Sequence, residues 1–122
     1  MRMTIRRTVA AVAVTAAAAV MTTVGAGTAQ ASTWAGCPDG AVCVYPQDQN
    51  PAVSPMLTLW SYGPHNLSNM YGNHWVLNNQ TGGAGAQLCT GYNGTGSCEY
   101  IAAQNGVYAN LTPINSIVLL RP

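Results

Sequence analysis

From Ala41 onward, apolar side chains come in short, often alternating runs broken by glycine, proline and asparagine. Seven runs stand out, at residues 41–45, 56–62, 75–78, 86–89, 97–102, 107–111 and 116–120. A period of two sends alternate side chains to opposite faces of a strand, and no window after Ser32 sustains the 3.6-residue period of an amphipathic helix. Turn-rich segments separate the runs at 48–55, 63–73, 80–85, 91–96 and 104–106. Asn93-Gly94 and Asn105-Gly106 favour positive φ, while Pro46, Pro51, Pro55 and Pro64 interrupt any ladder. The pattern predicts an all-β sandwich or barrel-like Greek key of about seven to eight short strands.

The runs also repeat in outline. Val42-Cys43-Val44-Tyr45 and its polar loop are echoed by Gln87-Leu88-Cys89-Thr90 and a Gly-rich loop, and Trp75-Val76-Leu77-Asn78 by Ser116-Ile117-Val118-Leu119. Two four-stranded units of similar length could then pair face to face, each burying one apolar wall.

Residues 1–31 read differently, as a secretory leader. Arg2, Arg6 and Arg7 form a basic start, an Ala-rich apolar stretch runs from Val9 to about Val24, and Ala29-Gln30-Ala31 is a small-x-small cleavage site before Ser32. The stretch is short for a membrane span, which needs roughly 20 residues; a retained anchor is the rival reading. Arg6-Arg7 hints at twin-arginine export, but Thr8 and Val9 fit that motif poorly, so Sec-type secretion is expected. The expected product is a single secreted domain, 32–122, with no membrane attachment after cleavage.

Cleavage would change the charge. Only Arg121 would remain against Asp39, Asp48 and Glu99, moving the formal charge from +1 to about −2. Nucleic acid is excluded as a partner, because phosphate binding needs several Lys or Arg side chains. The surface is built instead from Asn, Gly, Ser, Thr and Gln, with six Tyr and three Trp as bulk and no Phe. Asn-x-Ser/Thr sequons at Asn66, Asn79, Asn93 and Asn110 read as by-products of Asn-rich turns, given the bacterial character of the leader.

A chain of about 90 residues buries roughly 60–65% of its unfolded surface, so its core alone is marginal. Four cysteines in an exported chain answer that need, since disulfides persist in oxidising compartments. The spacing suggests local bridges, Cys37–Cys43 and Cys89–Cys98, with the other two connectivities left open. Each local bridge would contribute about 2–3 kcal/mol. Zinc is the weaker alternative, because these spacings do not match the usual two-to-four-residue knuckle.

Cys37-Pro38-Asp39-Gly40-Ala41-Val42-Cys43-Val44-Tyr45 resembles the opening of the secreted actinobacterial metalloproteinase-inhibitor family, and Gly96 to Cys98 with Asn115 to Ile117 resemble its second half. The resemblance implies a βγ-crystallin-like double Greek key with one local disulfide per half. It also implies an inhibitory loop between Cys89 and Cys98, with Cys89, Thr90, Gly91, Tyr92 and Asn93 facing an extracellular protease and the bond between Cys89 and Thr90 in the scissile position. Two family features fit imperfectly. Leu111-Thr112 stand where crystallin-type units carry a calcium-ligating pair, and Asn73-His74-Trp75 lacks the following serine pair, so no metal or other cofactor is expected. Thr90 is small and polar where thermolysin-like enzymes favour a large apolar residue, and three glycines are expected to soften the loop. An ordinary stapled hairpin is the plainer reading of the same segment.

No catalysis is expected. His65 reads as a loop residue and His74 as a strand-edge residue; neither belongs to a His-Glu-x-x-His pair, and no Gly-x-Ser-x-Gly elbow occurs. Three classes remain: a peptidase inhibitor, a non-inhibitory interaction or adaptor module with an apolar face drawn from Trp34, Trp60, Tyr62, Tyr71 and Trp75, and a carbohydrate- or cell-wall-binding module. A monomer with a protein partner is expected. Mass spectrometry of the exported protein should find Ser32 as its first residue; a product that keeps residues upstream of Ser32 overturns the leader assignment.

Overall fold

The alternating runs form two antiparallel sheets in the computed structural model, which describes residues 3–7 and 32–122. Among these residues the strands are β1 (Met3–Arg6), β2 (Val42–Val44), β3 (Leu57–Leu59), β4 (Gly63–Asn66), β5 (Asn73–Asn78), β6 (Ala86–Cys89), β7 (Cys98–Ile101), β8 (Asn105–Asn110) and β9 (Ser116–Leu119). One sheet has the order β1-β8-β5-β2-β3 and the other β4-β9-β6-β7. Within β2–β5 the third strand, β4, leaves its neighbours to pair with β9, and within β6–β9 the third strand, β8, leaves to pair with β5. Each sheet is thus completed by a strand from the other half.

The period-two pattern decides which side chains meet. Val42, Val44, Val76, Val107 and Ala109 from one sheet close against Ala86, Leu88, Ile101, Ile117 and Leu119 from the other, with Leu67, Met70 and Leu111 filling the ends. On the central strands β2 and β5 of the larger sheet, the intervening Cys43, Trp75 and Leu77 are buried as well. Cys43, Tyr45, Trp75 and Leu77 form a second cluster with Cys37 and Ala41, flanked by Trp34 and Tyr108. The Trp75 and Tyr108 rings lie 5.4 Å apart. The chain around 34–41 folds back over that outer face, tied by a Trp34–Cys37 bridge and by the disulfide Cys37–Cys43. The other bridge is Cys89–Cys98, so both are local, and none of the four cysteines is free.

Several expectations are corrected. Segment 63–73 is not all turn: β4 runs through Pro64, which is tolerated because β4 is an edge strand and need not donate on both sides. Asn105-Gly106 is not the turn; Gln104 carries the positive φ, 63°, and Gly106 lies inside β8, where a Cβ would collide with Leu77. Trp75 is buried, not part of an exposed apolar face. His74 is not at a sheet edge, because β5 is flanked by β8 and β2, and His65 lies in β4, not in a loop. Of the expected leader, 8–31 and the cleavage site lie outside the described residues, while residues 3–6 form β1 along β8.

Tyr45 joins the second cluster to its cover: its phenol donates to Ala35 O at 2.6 Å, and burial pushes its pKa up from 10.0 to about 12. Above pH 10 the unfolded chain gives up this proton and the folded chain keeps it. Stability should therefore fall as pH rises from about 10 to about 12 and then level off. Denaturant unfolding across that interval should show a smaller loss in Tyr45→Phe than in wild type; equal losses would place the effect elsewhere.

Candidate functional site

The loop between β6 and β7 is the segment in which the expected contact residues cluster. Cys89 and Cys98 are opposite partners at the ends of these strands, so their disulfide closes the neck. The ladder continues one step past it: Thr90 N donates to Ser97 O at 3.0 Å, and Ser97 N to Thr90 Oγ1 at 2.9 Å. Gly91 N then donates to Thr95 O at 2.8 Å, and Thr95 Oγ1 to Tyr92 O at 2.7 Å, around a single 3-10 turn at Tyr92–Gly94. Asn93 and Gly94 take φ of 59° and 76°, as their dipeptide predicts. The glycines do not simply soften the loop. A Cβ at Gly91 would collide with Thr95, and one at Gly96 with Thr90. Two of the glycines are there because the turn is tightly folded on itself.

Three residues outside the loop hold it from below. Asn66 on β4 clasps Asn93 twice, accepting from its backbone N at 2.8 Å and donating Nδ2 to its Oδ1 at 3.1 Å. Ser116 Oγ donates to Gly91 O at 2.7 Å and accepts from Gly94 N at 2.9 Å. Asn115 Nδ2 donates to Thr90 O at 2.7 Å, and Asn115 N to Cys89 O at 2.9 Å. The sequence marks Asn66 only as a turn sequon and gives Asn115-Ser116 no supporting role, because the contacts join segments more than twenty residues apart.

This anchoring determines what the loop presents. The peptide group between Cys89 and Thr90 has its oxygen bonded to Asn115 N and its NH bonded to Ser97 O, and Cys89 is fully buried. Engaging that carbonyl at a catalytic centre competes with its hydrogen bond from Asn115 N. Thr90, Tyr92 and Asn93 are exposed, and Tyr92, 55% exposed, is the only large side chain of the loop. The arrangement is a stiff platform with one aromatic ring at its tip.

The remaining candidates are scattered. Trp60, Tyr62 and Tyr71 are exposed, with Arg121 over the Tyr62 ring, while Trp34 and Trp75 belong to the second cluster. His74 is buried between two carbonyls, Nδ1 at 2.6 Å from Tyr45 O and Nε2 at 2.9 Å from Tyr71 O. His65 Nε2 lies 2.7 Å from Ser61 O. The Tyr108 phenol donates to Asp48 at 2.7 Å, a bond that raises its pKa. Leu111 is buried in the main core, and Thr112 Oγ1 accepts from Gly72 N at 2.8 Å. Among the described residues no three His, Cys, Asp or Glu side chains gather where a metal ion could be held. No protein-family model, curated protein or solved structure matches this chain.

Ser116 is the buried support of the loop, and replacing it with Ala strands Gly94 N and Gly91 O. Ser116→Ala should destabilise the fold by about 1–3 kcal/mol and speed hydrogen exchange at the Gly94 amide. An unchanged Gly94 rate would mean that the Ser116 bonds do not hold the loop.

Proposed function

We propose that this protein is a secreted peptidase inhibitor that docks on an extracellular protease through the loop between Cys89 and Cys98. The observation that carries the reading is the combination of a closed neck, support from Asn66, Asn115 and Ser116, and an outward Tyr92. A loop already ordered before contact loses little conformational freedom on binding. An exposed aromatic on a rigid support is the kind of anchor that dominates interface energetics. The two halves are in this reading βγ-crystallin-type Greek keys; the exchange of third strands between the sheets supports that assignment. The protein acts without catalysis, metal or cofactor.

The hydrogen-bonded Cys89–Thr90 group favours blockade by a docked surface over presentation of that bond as a substrate. The two modes respond differently to substitution. Under docking, Tyr92→Ala should weaken inhibition by roughly tenfold to a hundredfold with little change in melting temperature, and Thr90→Leu should not improve it. Under substrate-like binding, Thr90→Leu should tighten inhibition of a thermolysin-like enzyme. The check is a panel of secreted zinc and serine proteases titrated with wild type and both variants.

An interaction module without inhibitory activity is the second reading, favoured by Val53, Met56 and Trp60, which are exposed around β3 at the opposite end of the five-stranded sheet from β1. Wild type that inhibits none of the panel at micromolar concentration moves this reading to first place.

A further inference from the structure

Residues 3–7 close one edge of the five-stranded sheet. β1 lies antiparallel to β8 with Met3 opposite Tyr108, Thr4 opposite Val107, Ile5 opposite Gly106 and Arg6 opposite Asn105. Arg7 N extends the pairing by donating to Gln104 O at 3.0 Å. Alternation puts Ile5 and Arg7 on the same face. Ile5 lies over Gly106, its Cγ1 3.4 Å from where a Cβ on that glycine would stand. Two residues on, the Arg7 guanidinium enters a cradle. Its Nη1 donates to Asn79 Oδ1 at 2.7 Å, Gln104 Oε1 at 3.0 Å and Ser32 O at 3.2 Å; its Nη2 donates to the Ser32 hydroxyl. The guanidinium carbon stands 5.5 Å from the centre of the Trp34 ring.

Contacts among the cradle residues themselves fix which atoms it offers. Asn79 is fully buried, and its Nδ2 is committed to the carbonyls of Ser32, Cys37 and Pro38 at 3.0, 2.9 and 3.1 Å. Its oxygen is thereby turned toward the guanidinium. Gln104 is oriented the same way, its Nε2 donating to Gln80 O at 3.0 Å. Two amide oxygens, a carbonyl, a hydroxyl and an aromatic face converge on one point. Such a set suits a planar cation with several N–H donors that also packs on a ring, which is arginine more than lysine.

We propose that, once the leader is removed, the β8 edge and this cradle bind an extended segment of a partner protein. The segment carries an aliphatic residue, any residue and then arginine, and adds antiparallel to β8 as residues 3–7 do. The proposal rests on cleavage before Ser32 and is independent of the loop between Cys89 and Cys98. Removal of residues 3–7 leaves an open strand edge, a recurrent site of strand addition, and deprives the Asn79 oxygen of its arginine donor. A second copy of the cleaved chain does not supply the segment. Its one arginine, Arg121, follows Leu119, which is buried and paired within β9.

The test uses the protein recovered from the culture medium, its first residue established by mass spectrometry, titrated with a fluorescent peptide of residues 1–8. Saturable binding is expected. Arg7→Ala in the peptide, or Gln104→Gly in the protein, should weaken it tenfold or more. Gln104→Gly is compatible with folding, because φ there is 63° and glycine adopts it freely. No saturable binding at millimolar peptide, or binding indifferent to both changes, overturns the proposal. Binding that appears only after the Ser32 α-amino group is acetylated also overturns it, because the chain's own ammonium then holds the cradle. If the recovered protein retains residues 3–7, the cleavage reading fails. The site is then probed on the full chain: Ile5→Pro with Arg7→Ala should admit the peptide and the unaltered chain should not, and failure of the altered chain to bind it rejects the site itself.

Discussion

One buried carboxamide links the parts of this small fold. Asn79 follows the central strand β5 and gives its side-chain N–H groups to the carbonyls of Ser32, Cys37 and Pro38. Its backbone donates to Ala41 O and accepts from Gly40 N. Together these bonds pin the segment before β2 across the outer face of the larger sheet. With that segment in place, Cys43, Tyr45, Trp75 and Leu77 are buried, and the sheet is apolar on both sides. Without it, four large or reactive side chains would face water. The disulfide Cys37–Cys43 restrains the same segment and spares it part of the ordering entropy.

The other buried polar groups follow the same logic. Asn78 donates to Ala84 O and Ile101 O, and Gln80 donates to Gly85 O and to Asn78 Oδ1. With Ser116 and His74, all are side chains that bond to backbone inside the protein. A chain this poor in charged residues organises its interior with amides and hydroxyls, whose bonds carry direction without the desolvation cost of a buried ion pair. The polar half of the fold is for that reason a network of side chain to main chain contacts.

The strands were legible in the sequence because period-two alternation is a local property, and each of the seven expected runs carries one. What was not legible depended on neighbours distant in the chain. Pro64 hid β4, because its tolerance depends on an edge position. Asn105-Gly106 resembled a turn, yet Gly106 is required by the approach of Leu77 from β5. Trp75 looked available for an exposed face because the cover supplied by residues near 34–41 leaves no periodic signal. At the loop, Cys89, Cys98 and the Asn93-Gly94 turn could be read directly. The supports from Asn66, Asn115 and Ser116 could not, and neither could the converging oxygens around Arg7.

The exchange of third strands also bears on how the chain reaches its native state. Neither half can finish a sheet alone: β5 lacks its second neighbour until β8 arrives, and β9 lacks its second neighbour until β4 is in place. Pairing β4 with β9 joins residues about fifty positions apart, and most of the fold's stabilising contacts are of this non-local kind. Loop-closure entropy must then be met before those contacts form, which puts folding on the slow, millisecond-to-second side of small domains. The same interlock opposes piecemeal opening, since freeing one half strips a strand from each sheet. Slow assembly and all-or-none disassembly are two faces of one topology.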